Sequence, residues 1–338
     1  MCPGSSTLGN IVVSLTCAAY HLSAHMTILF LLAFLFLAIY CGLLFYYRRA
    51  WKAIPTPPLP FSNSSLPKYQ LSTKISVIIP ARNEAGNLYN LLTSLTHQTY
   101  PAALFEVIVV DDYSTDDTAN IVKNYPASNI QLISLKEILK DETINSYKKK
   151  AIQTGIKHSK GEMIVTTDAD CFMGENWLQT IAAFYETNHP EMIVMPVSIN
   201  CDNSPIEIFQ ALDFMSLQGI TGASVYKKMH SMCNGANLAY TRKAFDKVNG
   251  FDGIDNIASG DDMLLMHKIS LQYPGGISYL KSKKVIVQTQ PMHTVKDFLN
   301  QRIRWASKAN KYDDKRIMVV LSLVYLLNVC LLIIPLLS

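Results

Sequence analysis

Three acidic motifs contain the side chains best suited to chemistry. Asp111 and Asp112 are adjacent, Asp168 and Asp170 form a D-x-D pair, and a third pair stands at residues 261–262. Mg²⁺ and Mn²⁺ bind through one or two carboxylates together with phosphate oxygens and water. An ion held in this way neutralises the negative charge of a nucleoside diphosphate. The D-x-D pair fits this requirement, so we expect Mg²⁺ or Mn²⁺ as the cofactor.

Each acidic motif also has a structural interpretation. The Asp, Ser and Thr side chains of residues 111–118 suit a turn followed by a helix N-cap. Ser259 and Asp262 have the spacing of a capping box, with Ser259 at the N-cap. A carboxylate at a helix N-terminus is held ionised, and it accepts a hydroxyl proton only where geometry and desolvation raise its basicity. The structural and chemical interpretations are compatible.

A cluster of cationic and aromatic side chains lies near the C-terminus, at Gln301-Arg302-Ile303-Arg304-Trp305. As a binding site, Arg304 would hold a diphosphate and Trp305 would stack on the face of a sugar. Alternatively, the cluster anchors a helix at a membrane surface, because long cationic side chains and tryptophan favour that interface.

Several classes of protein are disfavoured by what the sequence lacks. There is no G-x-x-x-x-G-K-[ST] loop and no G-x-G-x-x-G after a strand, which argues against P-loop NTPases and dinucleotide dehydrogenases. The seven cysteines form no C-x-x-C pair, so neither a zinc site nor a disulfide framework is indicated. A net charge of +4 gives no reason to expect nucleic-acid binding.

The elements that must position these residues alternate along the first half of the chain. Apolar runs of strand type occur at residues 75–80, 107–110, 130–135 and 163–167, and segments with helical apolar spacing separate them. Strands that are apolar throughout predict a parallel sheet covered on both faces. Ligands of such sheets bind at the carboxyl ends of the strands. Two of the acidic motifs follow the second and fourth strands, so we expect them at one edge.

Composition points to membrane segments. Only 17% of the 338 residues are charged, against about 25% in ordinary soluble domains. Residues 27–47 and 317–338 carry no charged side chain, and each stretch is long enough to cross a bilayer. By the positive-inside rule, the flanking cations predict that the region between the spans is cytoplasmic. These cations are Arg48, Arg49, Lys52, Arg302, Arg304, Lys308, Lys311, Lys315 and Arg316.

The predicted organisation has five parts. An N-terminal region, 1–52, contains the first membrane anchor, and its true start is either Met1 or Met26. A linker rich in proline and serine covers 53–73 and leads into an α/β domain at 74–292. An amphipathic helix at the membrane surface follows at 293–316, and a membrane helix at 317–338 comes last.

Six strings of residues carry a resemblance to a known family, and the resemblance covers roughly residues 74–305. They are Pro80-Ala81-Arg82-Asn83-Glu84, Val110-Asp111-Asp112, Lys150-Ala151, Asp168-Ala169-Asp170, Ser259-Gly260-Asp261-Asp262 and the Q-x-x-R-W string at 301–305. The chain resembles membrane-bound family 2 glycosyltransferases of the processive-synthase type. The resemblance implies an α/β fold, namely a Rossmann-like GT-A domain that binds a nucleotide-sugar and is flanked by transmembrane helices.

The resemblance also implies a role for each matching residue. Asp170 would be the chief metal ligand with Asp168 close by, and Asp262 would be the general base of the catalytic pair that it forms with Asp261. The acceptor would contact Trp305, Gly235 and Asn237. The nucleotide-sugar donor would contact Pro80, Arg82, Glu84, Asp111, Asp112, Lys150, Asp168, Gln301 and Arg304.

The implied reaction is an inverting sugar transfer from a nucleotide-sugar, with a UDP-sugar as the expected donor, to a hydroxyl of a glycan or lipid-linked acceptor. The expected setting is cell-envelope polysaccharide or glycolipid synthesis. Two visible spans cannot enclose a polysaccharide, which leaves open a longer chain, an oligomer, other membrane subunits, or single transfer to a polyprenyl-phosphate or glycolipid. A non-catalytic nucleotide-sugar-binding subunit is a further alternative, although intact Asp168, Asp170 and Asp262 argue against it.

Overall fold

The computed structural model describes residues 5–56, 71–140, 144–202, 204–230, 232–257, 260–306 and 315–337. Most of the predicted linker, the capping residue Ser259 and the predicted cations Lys308 and Lys311 therefore lie outside the described residues. The chain divides into two units. One contains Met1–Tyr46 and Tyr312–Ser338, and the other contains Tyr47–Lys311.

The larger unit contains a main sheet of seven strands. They are β1 (Ile75–Ala81), β2 (Phe105–Asp111), β3 (Ile130–Ser134), β4 (Met163–Thr166), β6 (Met192–Val194), β8 (Leu238–Thr241) and β9 (Ile277–Tyr279). Their order across the sheet is β3-β2-β1-β4-β8-β6-β9. Strands β1, β2, β3 and β4 are mutually parallel, as the sequence predicts, whereas β8 runs antiparallel to both of its neighbours.

A second, smaller sheet has three strands, which are β5 (Phe172–Met173), β7 (Val197–Ile199) and β10 (Val287–Thr289). Their order is β5-β10-β7, and the middle strand is antiparallel to β5 and parallel to β7. Because β5 begins two residues after Asp170, the D-x-D motif lies between a strand of the main sheet and a strand of the smaller sheet.

Helices cover both faces of the main sheet. They are α2 (Ala85–Thr96), α3 (Thr118–Lys123), α4 (Leu135–Leu139), α5 (Tyr147–His158), α6 (Trp177–Asn188), α7 (Pro205–Tyr226), α8 (Arg242–Lys247), α9 (Asp261–Gln272) and α10 (Val295–Ala306). Alternate strand residues enter two separate cores, because successive side chains of a strand point to opposite faces. Val77 and Val109 pack in the core that contains α2 and α6, whereas Ile78 and Val110 pack in the core that contains α5 and α9.

The α/β fold class is therefore confirmed. Short 3₁₀ turns also occur at Ala102–Leu104, Gly235–Asn237 and Lys283–Val285. Helix α9 begins at the acidic pair 261–262, and α10 lies within the segment 293–316 that is predicted to be an amphipathic helix.

Two long apolar helices lie at the chain ends, α1 (Ser5–Ala53) and α11 (Lys315–Leu337). Within them, Met26–Ala53 and Met318–Leu336 are long and apolar enough to cross a membrane by length and composition. Their large apolar side chains are mostly exposed, as at Phe34 and Leu336. These segments coincide with the predicted spans at 27–47 and 317–338.

Candidate active site

The parallel strands bring three motifs to one edge of the main sheet. Ala81 at the end of β1 is in register with Asp111 at the end of β2, and the N–H of Asp112 donates to the carbonyl of Ala81 at 2.8 Å. On the other side of β1, Ile78 is in register with Thr166 of β4, two residues before Asp168. The loop after β1 and both acidic motifs therefore lie along the carboxyl edge.

Hydrogen bonds join the loops that follow β1 and β2. The side-chain oxygen of Asn83 accepts from the N–H of Thr115 at 2.8 Å, and the N–H of Glu84 donates to the hydroxyl of Thr118 at 2.8 Å. Asp116 accepts from the N–H of Ala85 at 3.1 Å. Asn83 has a φ of +56°, which asparagine tolerates better than most residues. The polar residues of 111–118 are thus used structurally as turn residues, and this use fixes the shape of the edge.

Asp111 and Asp112 present buried acceptors to this edge. Both residues are only 7% exposed, and Oδ1 of each has no hydrogen-bond partner among the described residues. Burial raises the pKa of Asp112, and the cation of Arg82, 3.9 Å from its carboxylate, opposes that shift. Buried acceptors are ordinarily satisfied, so two unmatched oxygens fit a polar ligand that supplies N–H or O–H groups. Pro80 lies in β1 itself, in register with Val110.

Lys148 joins two of the acidic motifs. Its Nζ lies 2.6 Å from Oδ1 of Asp168 and 4.0 Å from Oδ2 of Asp261. Desolvation opposes the charge of this ammonium, but the two carboxylates outweigh it and raise the pKa of Lys148. Two aspartates that are distant in sequence therefore share one cation. This contact brings the D-x-D motif and the acidic pair at 261–262 together.

Lys150, the lysine singled out by the sequence motif, takes a different place. It lines a cavity of about 280 Å³ together with Asn145, Gln153 and Asn256. Two residues along a helix correspond to about 200° around its axis, so Lys148 and Lys150 of α5 cannot face the same side. The structure thus brings Lys148, rather than Lys150, to the aspartates.

Asp170 has the surroundings of a cation ligand. Its Oδ2 accepts from the hydroxyl of Thr289 at 3.0 Å, and its Oδ1 accepts from the thiol of Cys171 at 3.4 Å. Burial, and next the charge of Asp168, raise the pKa of Asp170. Asp168 and Asp170 also act to raise the pKa of Glu84, after burial, so Glu84 lies within their field. A divalent ion would relieve this concentration of negative charge, and the oxygen donors are those that Mg²⁺ and Mn²⁺ prefer.

The protein supplies few ligands for such an ion. No group of three or more His, Cys, Asp or Glu side chains suited to a metal occurs within the described ranges. Asp168 and Asp170 would therefore hold the ion with phosphate oxygens and water, as Mg²⁺ sites at phosphates usually do.

Asp262 lies in the first turn of α9, which follows Gly260 at a φ of +78°. Its Oδ2 accepts from the N–H of Gly235 at 3.0 Å, and its Oδ1 accepts from the N–H of Met263 at 2.7 Å. Desolvation, and next the charge of Asp261, raise the pKa of Asp262 to about 6. An aspartate with this pKa is ionised at neutral pH and is a stronger base than an exposed one.

The segment predicted to face the acceptor divides into two roles. Gly235 contacts Asp262 through its backbone N–H, as described above. Asn237 is fully buried, and its amide accepts from Trp177 Nε1 at 3.0 Å and donates to the carbonyls of Pro196 and Val285 at 2.7 Å each. These bonds use the side chain of Asn237 to join the 3₁₀ turn to the core, which gives it a structural role in place of the predicted acceptor contact.

The Q-x-x-R-W residues lie on α10, which packs against α7. The ring of Trp305 lies 6.1 Å from that of Phe214, and the guanidinium of Arg302 lies 4.6 Å from the centroid of the Trp305 ring. Arg302 also forms an ion pair with Asp213 of α7. Trp305 is thus engaged in packing, whereas Arg304 is exposed and Gln301 is half-buried. The short loop before this helix connects it to β10, which ends at Thr289, the partner of Asp170.

Two residues that contact the aspartates were not identified from the sequence. Lys148 is one of three consecutive lysines, and only the phase of α5 selects it. Thr289 ends a three-residue strand, 119 positions after Asp170, in a segment without a recognisable motif. The position of Lys148 in the first turn of the helix before the D-x-D strand was a usable signal, whereas Thr289 had none.

The sheet order, the D-x-D at the end of β4 and the acidic pair at the start of α9 define a GT-A type of glycosyltransferase domain. Comparison with known proteins agrees. The model of "Glycosyl transferase family 2" matches residues 76–248, and that of "Glycosyl transferase family group 2" matches residues 163–338. The chain therefore belongs to glycosyl transferase family 2.

Two curated relatives share part of the chain. It is 38% identical over 105 residues to the glycosyltransferase AglE of Haloferax volcanii, a match that covers 31% of this chain and 33% of AglE. It is 32% identical over 139 residues to the poly(ribitol-phosphate) beta-N-acetylglucosaminyltransferase TarS of Staphylococcus aureus, covering 40% of this chain and 23% of TarS. The matches thus span a third or less of these relatives.

A solved structure shares the fold over a longer stretch. The mannosyltransferase PcManGT of Pyrobaculum calidifontis, in complex with GDP-Man and Mn²⁺, superposes with a TM-score of 0.59 at 23% identity. The match covers 85% of this chain and 77% of PcManGT. It supports the α/β fold assignment.

Proposed function

We propose that this protein is a membrane-anchored, metal-dependent, inverting glycosyltransferase that uses a nucleotide-sugar donor. The observation that carries the proposal is the contact of Lys148 with both Asp168 and Asp261. It brings the D-x-D motif and the acidic pair at the start of α9 around one point. A non-catalytic binding subunit would have no need of a base with a raised pKa beside the donor site.

The donor is proposed to lie along the carboxyl edge of the sheet. The unmatched oxygens of Asp111 and Asp112 suit the N–H of a nucleobase and the hydroxyls of a ribose. Lys148 and an ion held by Asp168 and Asp170 suit the diphosphate. The name of TarS specifies an N-acetylglucosaminyltransferase, and PcManGT was solved with GDP-Man and Mn²⁺. We propose a UDP-sugar donor and Mg²⁺ or Mn²⁺ as the ion.

In the proposed mechanism, Asp262 accepts the proton of an acceptor hydroxyl. The hydroxyl oxygen forms a bond to the anomeric carbon while the bond from that carbon to the diphosphate oxygen breaks, which inverts the configuration. The ammonium of Lys148 stabilises the charge of the leaving diphosphate. A bound divalent ion would supply further neutralisation of that charge. Stabilisation of developing charge is commonly the largest contribution to such a rate enhancement.

We further propose that α7 and α10 face a membrane surface. Both helices expose apolar side chains, and six of these are between 52% and 66% exposed. They are Phe209, Leu212 and Met215 of α7, and Val295, Leu299 and Ile303 of α10. The three residues of α10 recur every four positions and form one stripe, which is the pattern of an interfacial helix. The two apolar terminal helices support the proposed anchor, and by the positive-inside rule the flanking cations favour a cytoplasmic location for the catalytic unit.

The proposed acceptor is a glycan or a lipid-linked saccharide of the cell envelope. The name of TarS specifies poly(ribitol-phosphate), a polymer that carries hydroxyl groups, as the acceptor. Transfer of one sugar to a polyprenyl-phosphate or glycolipid is the second candidate. The exposed apolar stripe of α10 favours it, because a lipid-linked acceptor presents its reactive group at the membrane surface.

The test uses the full chain purified into lipid nanodiscs. UDP-GlcNAc, UDP-Glc, UDP-Gal and GDP-Man are supplied with Mn²⁺, Mg²⁺ or EDTA, and release of nucleoside diphosphate is measured. We expect release from one donor with a metal and none with EDTA. Equal release with EDTA would remove the metal from the proposal, and tight donor binding without release would favour the non-catalytic subunit. A membrane extract is then supplied as the acceptor, and the length of the products is measured. A ladder of chains indicates polymerisation, whereas one added sugar indicates single transfer.

A further inference from the structure

The loop that leads into the catalytic pair is held by a buried lysine. Residues 248–260 connect α8 to α9, which begins at Asp261. Nζ of Lys149 donates to the carbonyls of Ile254 at 2.8 Å and Ile257 at 2.6 Å, and Lys149 is only 2% exposed. The contact joins the first turn of α5 to the part of the loop that shortly precedes Asp261.

A buried ammonium is costly unless it is hydrogen-bonded, so its carbonyl partners are strongly constrained in position. Displacement of Ile254 or Ile257 would remove hydrogen bonds from a charge that is shielded from water. The lysine therefore resists movement of the loop around residues 254–257. Asp262, the second residue of α9, follows Ile257 by only five positions.

The neighbouring lysine of α5, Lys148, contacts the two acidic motifs. Lys148 contacts Asp168 of the donor site and Asp261 of the catalytic pair, whereas Lys149 contacts the loop before that pair. Two consecutive residues of α5 thus contact the D-x-D motif, the acidic pair at 261–262 and the loop that precedes this pair. Lys149 belongs to none of the motifs described above, and its two hydrogen bonds to the loop are made to backbone carbonyls.

The loop also offers a matched comparison. Nζ of Lys268, a residue of α9, donates to the carbonyls of Gly250 and Asp252 at 2.7 Å each. This lysine makes the same kind of contact with the earlier part of the loop, farther in sequence from Asp261, and it is half-buried rather than buried. Removal of Lys268 would loosen the loop without freeing the residues next to the catalytic pair.

We infer that Lys149 is a positioning residue for Asp262 that sets the approach of the base to the reacting hydroxyl. The inference rests on the proposed role of Asp262 as base. Lys149 acts through the loop before the catalytic pair, so its effect belongs to the chemical step and not to donor binding.

The experiment compares Lys149→Met, Lys149→Arg and Lys268→Met in the full chain in nanodiscs. Hydrogen–deuterium exchange of residues 254–262 is measured together with donor titrations and steady-state release of nucleoside diphosphate. In Lys149→Met we expect at least about a tenfold rise in exchange confined to that segment. We also expect kcat to fall by up to about 100-fold, the cost of a misplaced catalytic group, with KM for the donor within about threefold of wild type. Lys149→Arg keeps N–H groups that can donate to the two carbonyls. Its exchange rate and kcat should therefore lie between those of wild type and Lys149→Met.

Lys268→Met should raise exchange only near residues 250–253 and leave kcat within about threefold of wild type. Wild-type exchange at 254–262 in both Lys149 variants would overturn the inference, as would equal kcat losses in Lys149→Met and Lys268→Met. If Lys149→Met does not fold, Lys149→Arg carries the same tests. Asp262→Asn is measured in parallel: normal turnover in that variant contradicts the proposed base, whereas an inactive Asp262→Asn beside a fully active Lys149→Met contradicts only the role of Lys149.

Discussion

The backbone N–H of Gly235 donates to Oδ2 of Asp262 at 3.0 Å. The bond joins the 3₁₀ turn before β8 to the first turn of α9. It fixes one carboxylate oxygen of the proposed base and leaves its position dependent on the space around Gly235. A Cβ at Gly235 would lie 3.3 Å from Oδ2 of Asp261 and 3.6 Å from Cβ of Asp262.

Gly235→Ala should therefore impair the chemical step. The added methyl contacts both members of the catalytic pair, so we expect kcat to fall about tenfold, within the cost of a displaced catalytic group. Donor affinity should change less than about threefold. Gly219→Ala in α7 is the matched control, because a Cβ there meets nothing within 4 Å. Equal effects of the two substitutions on turnover would contradict the proposed placement of the pair.

The raised pKa of Asp262 predicts an acid limb in the rate profile. With a pKa of about 6, the carboxylate is protonated below that pH and cannot accept the hydroxyl proton. We expect kcat/KM, which reports titration of the free enzyme, to decrease as pH falls through about 6 and to be level between about pH 7 and 8. The measurement is nucleoside diphosphate release between pH 5 and 8 with the donor well below its KM. A profile that stays level down to pH 5 would argue against Asp262 as base.

The raised pKa of Asp262 also affects stability with a defined sign. Between the ordinary aspartate pKa of 3.8 and the folded value of about 6, the folded state holds a proton that the unfolded chain has lost. The free energy of unfolding therefore falls as pH rises through this window. Asp262→Asn should reduce that slope, as followed by thermal unfolding of the full chain from about pH 4 to 7. An unchanged slope would mean that the pKa of Asp262 is not raised.

Lys148 and Lys150 give the sharpest test of the α5 placement. Lys148→Met removes the cation shared by Asp168 and Asp261, and we expect kcat/KM to fall by about 100-fold, comparable to the loss of one charge-stabilising donor. Lys150→Met, on the opposite side of the helix, should change kcat/KM less than about threefold. The reverse order of effects would show that the lysine singled out by the sequence motif serves the diphosphate.

We expect Asp170 to be the main protein ligand of the metal ion. Asp170→Asn should weaken Mn²⁺-dependent binding of UDP at least about tenfold, because the main anionic ligand is lost. Thr289→Val removes only the hydroxyl that donates to Asp170, so its effect should be smaller and in the same direction. Isothermal titration with and without Mn²⁺ measures both. Identical affinities of wild type and Asp170→Asn in Mn²⁺ would remove Asp170 as a ligand.

The parallel core of the fold could be predicted because its strands are apolar throughout. Val77 and Ile78 enter opposite cores, so both faces of β1 are buried, and the same holds for Val109 and Val110 of β2. The short strands of the second half, such as β6 and β10, were not predicted. A strand of three or four residues is too short to show a recognisable hydrophobic pattern. Their pairing depends on long-range contacts.

The site was predictable to the extent that it consists of short acidic motifs at strand ends. Asp112 and Asp168 follow strands, and the sheet register determines where they lie. The contact of Lys148 with the aspartates depends on the phase of its helix. The role of Asn237 depends on its burial, because its amide bonds three groups that are distant in sequence. The packing of Trp305 against Phe214 likewise depends on the docking of α10 on α7, which the sequence does not indicate.

The most direct test of the proposed catalyst separates binding from transfer at Asp262. Asp262→Asn in nanodiscs is compared with wild type in Mn²⁺-dependent donor binding and in sugar transfer. We predict donor affinity within about threefold of wild type and a loss of transfer of about 10²–10⁴-fold, the range of general-base catalysis. Transfer at the wild-type rate by Asp262→Asn would contradict the assignment of Asp262 as the base.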